Sequence, residues 1–388
     1  MNVQKKYRVA VVGCGMMAQA AHLPNCKSNP RIDLVAVCDL NEAVAKACRE
    51  TFGARRFETD WRKVVAADDI DLCILATHTN LRGEFIIPAI VSGEAGSAEK
   101  PLAPSRAEMV EIIKATRRTG RPVCVGHNRR SSPAILEFKR LLDRAAGDVP
   151  SLPPSIVHTE TPMAALPEQR GRQILMRVND DIRTWKEWIF WDAEGIMFAE
   201  MVHFIDLALW FNPGHPVRVF AEGSPRGNFA LLLRFDDGSL TTLQHTMVGH
   251  FDYPKELIEA TTRNITVVMD HHIEVRQFGM ADEPPIRAFP FTVGDEVVAK
   301  PGMHGFLEAA AAERARAAKT GEKPRCVGVN KGHALQLDRF LTHLDGKGEN
   351  PCPVDSAVAV NRIALKFLES ARLGLPVAVG PEDWHIPA

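Results

Sequence analysis

A glycine-rich turn near the amino terminus constrains the fold of this chain more than any other feature of its sequence. The apolar run Tyr7–Val12 leads directly into Gly13-Cys14-Gly15-Met16-Met17-Ala18, and a helix-compatible stretch follows. In such a strand–turn–helix unit the first glycine permits the tight turn, and the second lets a pyrophosphate approach the helix N-terminus. The turn predicts a dinucleotide-binding Rossmann unit, whose candidate phosphate contacts are Gly13, Gly15, Met16 and Met17.

Asp39 is the candidate ribose ligand of this unit. It ends the next apolar run, Leu34–Cys38, at about the 20-residue spacing typical of the motif. Its carboxylate can accept hydrogen bonds from ribose hydroxyls and would repel a 2′-phosphate, and no Arg or Lys follows within Leu40-Asn41-Glu42. These residues favour NAD over NADP. The alternative is a glycine turn in another kind of α/β protein, with Asp39 only as the N-cap of the next helix.

The first third of the chain continues this alternation of short apolar runs and amphipathic stretches. Such a pattern predicts a doubly wound parallel sheet covered by helices on both faces, in a domain spanning residues 1–127. The predicted strands and helices after Asp39 are Glu42–Phe52 (helix), Asp71–Ala76 (strand), Leu81–Val91 (helix), Ser97–Glu99 (strand), Arg106–Arg117 (helix) and Pro122–Gly126 (strand).

Residues 128–388 have a different pattern and predict a second, α+β domain. Apolar runs recur at short intervals, and Asp236-Asp237-Gly238 between two of them is a hairpin signal. We therefore expect a mostly antiparallel sheet with a few helices. The predicted elements are helices at Ser132–Arg144, His304–Lys319 and Asp355–Leu373, and strands at Val217–Ala221, Phe229–Phe235, Ser239–Val248, Leu257–Thr261, Ile265–Met269 and His272–Phe278.

Composition narrows the class of protein. A length of 388 residues favours two domains, and a formal net charge of -1 with scattered basic residues argues against a nucleic-acid partner. No apolar run reaches the roughly 18 residues of a membrane span, and the polar start Met1–Tyr7 does not resemble a signal peptide. The eight cysteines are dispersed without a CxxC pair, which favours buried thiols over disulfides or metal ligands. We expect a cytoplasmic protein with no metal site.

Lys100 is the first candidate catalytic residue. It lies in Glu99-Lys100-Pro101, just after the brief strand-like segment Ser97–Glu99. The carboxyl ends of the strands of an open parallel sheet face the ligand crevice, so Lys100 would point towards the nicotinamide. A desolvated lysine can exchange a proton with an alcohol or ketone. A lysine before proline is otherwise more often a solvated loop residue.

A second cluster of titratable residues lies on a largely apolar helix over Phe198–Leu207. Glu200, His203 and Asp206 follow one another at i, i+3 and i+6, along a stripe beside the apolar face. Three such groups in a row suit an acid–base site. An ordinary histidine on a solvated helix face is an equally good interpretation of the spacing alone.

The segment 177–188 combines polar groups with two tryptophans. Asn179, Arg183 and Trp185 could line a pocket for a polyhydroxylated ring, because aromatic faces with hydrogen-bonding neighbours suit such ligands. Trp188 belongs to the same segment. The alternative is a loop that packs against the sheet.

Taken together, these segments resemble the Gfo/Idh/MocA oxidoreductase family, the glucose–fructose oxidoreductase and inositol dehydrogenase group. The matching pieces run in the family's order over most of the chain, and the Glu-Lys-Pro triplet is the most specific of them. They are Gly13–Ala18, Asp39, Ala76-Thr77, Glu99-Lys100-Pro101, Asn128-Arg129-Arg130, His203-Phe204-Ile205-Asp206, Phe235–Gly238 and Pro254-Lys255-Glu256.

The resemblance implies an open-faced sheet domain for substrate binding and oligomerisation after the Rossmann domain, and a homodimer or homotetramer. It implies that Lys100 and His203 lie near the reacting carbon and that Arg129 contacts substrate. It places Thr77, His78, Glu99 and Asn128 against the cofactor. The chain also departs from the family: Ala199 stands where many members have aspartate, with Glu200 one residue later, and Arg82 stands where histidine is common.

The sequence thus predicts an NAD-dependent dehydrogenase or reductase acting on a secondary alcohol or ketone of a sugar, aminosugar or cyclitol. In this hypothesis Lys100 and His203 exchange the hydroxyl proton, and Glu200 orients His203. Two alternatives stay open. One is a redox-neutral lyase, epimerase or glycoside-cleaving enzyme with bound, recycled NAD, and the other is a non-catalytic NAD-binding protein.

Overall fold

The computed structural model describes residues 5–78, 81–103, 105–147, 149–150, 171–187, 195–224, 227–298 and 302–385. Its α-helices are α1 (Leu23–Ser28), α2 (Glu42–Phe52), α3 (Trp61–Val65), α4 (Arg82–Ser92), α5 (Arg106–Thr119), α6 (Pro133–Ala145), α7 (Val202–Phe211), α8 (Met303–Thr320), α9 (His333–Leu344), α10 (Val354–Leu373) and α11 (Pro381–Trp384).

The strands belong to three sheets. They are β1 (Tyr7–Val12), β2 (Ile32–Cys38), β3 (Arg56–Glu58), β4 (Leu72–Leu75), β5 (Ala95–Ala98), β6 (Val123–Val125), β7 (Gln173–Asn179), β8 (Pro216–Gly223), β9 (Phe229–Phe235), β10 (Leu240–Thr246), β11 (Glu256–Thr262), β12 (Ile265–Asp270), β13 (Glu274–Phe278), β14 (Ile286–Ala288), β15 (Phe291–Val293), β16 (Glu296–Val297), β17 (Val327–Val329) and β18 (Val377–Ala378).

The chain divides into two compact units. The first comprises Met1–Ser131, Gly332–Arg362 and Glu382–Ala388, and the second comprises Ser132–Lys331 and Ile363–Pro381. The predicted domain limit at residue 127 stays a prediction, but it does not anticipate that late segments join the first unit. The buried Arg31 shows why α9 belongs there, since its guanidinium donates to Asp338, Thr342 and Asp345.

The first unit contains a six-stranded parallel sheet in the order β3-β2-β1-β4-β5-β6. This is the strand order of a dinucleotide-binding Rossmann fold, and it reverses between β1 and β4. The central strands β1, β2 and β4 are buried along almost their whole length, as expected of a sheet covered on both faces. The predicted α/β fold of this part is confirmed.

The second unit contains a nine-stranded sheet in the order β14-β13-β12-β11-β7-β10-β9-β8-β18. Its pairings are antiparallel except between β7 and β10, so the predicted mostly antiparallel sheet is confirmed. Strand β9 alternates buried and outward residues, and Gly238 closes the predicted hairpin to β10 with a φ of 86°. A separate small sheet has the order β16-β15-β17.

Among the described residues, no helix combines the length and the apolar character that crossing a membrane requires.

Candidate functional site

The glycine turn after β1 has the geometry that its sequence predicts. Gly13 has a φ of 90°, and a Cβ on it would lie 2.8 Å from the carbonyl carbon and oxygen of Ala76. The turn therefore needs glycine both for its backbone conformation and for its close approach to the chain after β4. Gly15 is exposed, and a Cβ on it would meet nothing within 4 Å. Open space thus lies against a bare backbone where the motif expects a pyrophosphate.

The predicted helix does begin after this turn, at Met16, but it is irregular. It runs as a π-helical turn over Ala18–His22 before continuing as α1. Gln19 steadies the turn, because its Nε2 donates to the carbonyl of Cys14 at 2.7 Å. Met16 is exposed and Met17 half-buried, so the helix start carries no bulky group that closes it off from solvent.

Asp39 lies at the tip of β2, beside the glycine turn. Its Oδ2 accepts a hydrogen bond from the backbone N–H of Cys14 at 2.8 Å, and its Oδ1 accepts from the N–H of Asn41 at 2.9 Å. Each carboxylate oxygen keeps a second lone pair for a ribose hydroxyl. The interpretation of Asp39 as the cap of α2 is wrong, because Asn41 caps that helix through Ala43 and Val44.

The chain after β4 brings further predicted residues to the same edge of the sheet. The Oγ1 of Thr77 is buried and makes no hydrogen bond to any residue that the structure describes. A buried hydroxyl in this state is a vacant donor and acceptor, which fits a cofactor contact. His78, the next residue, is exposed.

Glu99 and Lys100 follow β5, at the carboxyl end of the strand as predicted. Burial would raise the pKa of Glu99, but a 2.7 Å hydrogen bond from His22 and the charges of Lys100 and Arg82 outweigh it and lower the pKa to about 2. Glu99 is therefore a carboxylate at neutral pH. Lys100 is half-buried, and its peptide bond to Pro101 is cis.

Asn128 and Arg129 lie in a buried 3-10 turn, Asn128–Ser131, directly after β6. Both side chains are almost completely buried. The burial of Arg129 is unexpected for a residue predicted to contact substrate, and the sequence offered no sign of it.

In the second unit, most residues of the predicted acid–base helix are buried. It begins with a π-helical turn over Met197–Met201 and continues as α7. Glu200, His203 and Asp206 are 7 %, 5 % and 0 % exposed, so the interpretation of this stripe as a solvated face is wrong. Their burial favours the functional interpretation, because buried titratable groups need a specific reason to be there.

Glu200 takes part in an ion triad that the sequence did not predict. The ammonium of Lys255 lies 2.9 Å from Glu200 Oε1 and 2.9 Å from Asp180 Oδ1. Asp180, which follows β7, also accepts from Trp185 Nε1 at 3.2 Å and lies 3.4 Å from His245 Nε2. We call Asp180, Glu200 and Lys255 the lysine triad.

Of the remaining predicted residues of the second unit, Trp185 contacts this triad, and Asn179 and Arg183 bind elsewhere. Trp185 lies beside it, with the Lys255 ammonium 5.5 Å from its ring centroid. Asn179 is buried and donates to the carbonyl of His250 at 3.1 Å. Arg183 is exposed and pairs with Asp181. Trp188 lies outside the described residues.

Sequence reasoning therefore missed Asp180, Lys255 and His245 in the second unit and His22 and Arg82 in the first. Asp180 and Lys255 each stood inside a segment that had been singled out, 177–188 and Pro254-Lys255-Glu256. No local signal pairs them, because they meet only when β7 and β11 pair.

Comparison with known proteins supports the fold and the cofactor. Residues 7–127 match the model of the Gfo/Idh/MocA group, described as an oxidoreductase family with an NAD-binding Rossmann fold. The predicted NAD cofactor is confirmed at the level of this family.

Two curated relatives each match a third or somewhat more of the chain. 4-Carboxy-2-hydroxymuconate-6-semialdehyde dehydrogenase of Sphingobium sp. is 31 % identical over 33 % of this chain and 40 % of its own length. Inositol 2-dehydrogenase 2 of Saccharopolyspora erythraea is 33 % identical over 39 % of this chain and 50 % of its own length. The matched part thus spans half or less of these relatives.

Solved structures extend the likeness of fold to nearly the whole chain. The crystal structure of a putative myo-inositol dehydrogenase from Sinorhizobium meliloti superposes with a TM-score of 0.68. The match covers 97 % of this chain and 100 % of that protein, at 17 % identity. Identity this low supports the architecture alone.

Proposed function

We propose that the chain is an NAD-dependent dehydrogenase or reductase of the Gfo/Idh/MocA oxidoreductase family, whose model residues 7–127 match. Its proposed substrate is a small molecule with a secondary alcohol or ketone, of the sugar, aminosugar or cyclitol class. The observation that carries the proposal is the glycine turn Gly13–Gly15, which we call the phosphate turn. Gly13 has a φ of 90° that favours glycine, Gly15 faces open space, and Asp39 accepts a hydrogen bond from the backbone of the turn.

In the first unit, the residues at the carboxyl edge of the parallel sheet would bind the cofactor. Gly15 and the helix start at Met16 and Met17 would bind the pyrophosphate, since backbone N–H groups and the helix dipole favour an anion there. Asp39 would accept from the ribose hydroxyls. The vacant Thr77 hydroxyl, with the predicted contacts His78, Glu99 and Asn128, would complete the site.

When bound, NAD supplies the two-electron chemistry, accepting or giving the hydride. The protein's own task is then to manage one proton. We assign this task to Lys100, whose amine would take the hydroxyl proton in the oxidative direction and return it in the reductive one. His203 would serve as the second proton-exchanging group. Glu200 would act through its position in the buried helix, held by Lys255.

The second unit would supply substrate contacts. Trp185 presents an aromatic ring whose N–H is bound to the buried Asp180, and rings of this kind bind the apolar faces of polyols. Arg129, Asn179 and Arg183 are the further proposed contacts, although the burial of Arg129 makes it the least accessible of them.

The test is a spectrophotometric assay of the purified protein with NAD and a panel of sugars, aminosugars and cyclitols, preceded by calorimetry with NAD and NADH. We expect saturable binding of both cofactor forms and NADH formation with at least one substrate. If neither NAD nor NADH saturates the protein, the proposal is rejected. Turnover without added NAD and without net NADH would replace it by the redox-neutral alternative.

A further inference from the structure

We propose that Arg82 is a positioning residue that fixes the turn carrying Lys100, an inference that rests on the proposed function of that lysine. The guanidinium of Arg82 joins two loops of the first unit. Its Nε and Nη2 donate to the carbonyl oxygen of Thr77 at 3.2 and 3.1 Å, and its Nη1 donates to the carbonyl oxygen of Pro101. One loop carries the vacant Thr77 hydroxyl, and the other carries Lys100 next to Pro101.

The stability of α4 does not explain an arginine at this place. Arg82 is the first residue of α4, where the helix dipole disfavours a cation. Its side chain is also buried, 6 % exposed, which is costly for a charge without compensation. Burial lowers the pKa of Arg82 to about 10, and only the carboxylate of Glu99 opposes this shift. The compensating interactions are thus Glu99 and the two loop carbonyls.

The opposite side of the turn is held as well. His22 Nε2 lies 2.7 Å from Glu99 Oε1, so the residue before Lys100 is bound to the π-helical turn that follows the phosphate loop. The residue after Lys100 is bound to Arg82. Both chain neighbours of Lys100 are therefore fixed to elements that the cofactor is proposed to touch.

Such fixation matters for proton exchange. A general base must lie within hydrogen-bond reach of the proton it takes, and a misplacement of about 1 Å can cost about 10²-fold in rate. The planar fork of arginine suits this role, because one group can donate to two carbonyls in a fixed relative geometry. A lysine at position 82 would keep the charge without the fork.

The test compares Arg82→Met and Arg82→Lys with the control Arg31→Met. Arg31 is a matched control because it is also 6 % exposed and also joins segments of the first unit, through Asp338, Thr342 and Asp345. The first measurement is backbone hydrogen exchange of residues 99–103, which needs no substrate. We expect Arg82→Met to raise exchange there by about tenfold, and Arg31→Met to leave it unchanged.

The second measurement separates kcat from KM. With a substrate of the wild type, Arg82→Met should lower kcat by ~10–100-fold while KM and the NADH dissociation constant stay within about threefold. Arg82→Lys should recover part of this loss. Arg31→Met should lower the melting temperature but not kcat.

The inference is overturned if exchange of residues 99–103 is unchanged in Arg82→Met, or rises equally in Arg31→Met. If Arg82→Met does not fold, Arg82→Lys decides: exchange and kcat equal to the wild type would show that the fork is not needed. A wild type without turnover would refute the proposed function instead, and the exchange result would still decide whether Arg82 fixes the turn.

Discussion

Lys100 in the first unit and Lys255 in the second lie next to strand ends, yet they are fixed in different ways. Around Lys100 the described contacts fix the backbone of the turn, through the Pro101 carbonyl and the side chain of Glu99. Lys255 is fixed by its own ammonium, which lies 2.9 Å from each of two buried carboxylates. The first arrangement fixes the turn around a lysine whose catalytic role is proposed above, whereas in the second the lysine itself compensates buried carboxylates.

The difference teaches how each unit fixes its own candidate residues. In the first unit, geometry follows from local backbone motifs such as the glycine turn and the residues after β4 and β5. In the second, it follows from ion pairs between distant side chains. Glu256, the next residue after Lys255, is held in the same way by two ion pairs, with Lys331 and with His272. Substitution of Lys100 should therefore mainly lower turnover, and substitution of Lys255 should mainly lower stability.

The largest expected effect is on catalysis. Lys100→Ala should lower turnover by about 10²-fold or more, the usual scale for general acid–base groups. Because Arg82 and His22 still hold Pro101 and Glu99 in this variant, the melting temperature and the NADH dissociation constant should change far less than turnover does. The measurements are steady-state kinetics, thermal melting and NADH fluorescence titration. An unchanged turnover with the true substrate would show that Lys100 is not catalytic. The proposed functional difference between Lys100 and Lys255 would then be rejected.

For Lys255→Met we expect mainly a loss of stability. The variant leaves Asp180 and Glu200 buried without their shared counter-charge, which typically costs ~3–5 kcal/mol of unfolding free energy. Urea unfolding measures the loss. The matched control is Lys114→Met, because the side chains of the Lys114–Glu111 pair are 64 % and 59 % exposed and such pairs contribute less than about 1 kcal/mol. Equal losses in the two variants would contradict a structural role for Lys255.

The contrast also explains what the sequence could predict. Gly13, Gly15 and Asp39 lie in a local pattern with one physical solution, so spacing alone predicted the glycine turn and the place of Asp39 beside it. Lys100 followed from the rule that strand ends of a parallel sheet face the ligand. These predictions needed only the order of residues within one strand–helix unit.

The lysine triad could not be predicted in this way. Its members come from three distant segments: the pairing of β7 with β11 brings Asp180 and Lys255 together, and Glu200 comes from the π-helical turn Met197–Met201. Strand β7 was itself missed, because Leu175 occupies an outward position and is exposed, which breaks the alternation expected of a half-buried strand. The π-helical turn before α7 was not predicted either, because the prediction assumed the 3.6-residue period of an α-helix.

Substitutions of the two glycines in the turn after β1 should distinguish residues that stabilise the turn from residues that bind the cofactor. Gly13→Ala should destabilise the protein by ~1–3 kcal/mol, since its φ of 90° and its 2.8 Å approach to Ala76 exclude a Cβ. Gly15→Ala should leave stability unchanged and weaken NADH binding about tenfold, because its Cβ enters open space proposed for phosphate. Thermal melting and NADH titration of both variants check this. Equal effects of the two would show that the turn is only structural.

The smallest effect concerns Glu94, a buried carboxyl of the first unit whose described partner is a thiol. Cys73 Sγ donates to Glu94 Oε2 at 2.8 Å. Burial raises the pKa of Glu94 from 4.5 to about 7, and the hydrogen bond from Cys73 opposes this only in part. Glu94 thus lacks a lysine partner of the kind that Asp180 and Glu200 share, and we expect it to titrate near neutral pH.

The sign follows from the direction of the shift. Since the folded state binds the Glu94 proton more tightly than the unfolded state, its contribution to stability is complete below about pH 4.5 and is lost as the pH rises through about 7. Glu94→Gln keeps the neutral form at every pH, so at pH values above 7 it should be more stable than the wild type by ~1–2 kcal/mol. Urea unfolding at several pH values measures the difference, with the exposed Glu111→Gln as the control. A difference between Glu94→Gln and the wild type that is the same at all pH values would mean that Glu94 does not titrate in this window, and that the first unit, like the second, compensates its buried carboxylates.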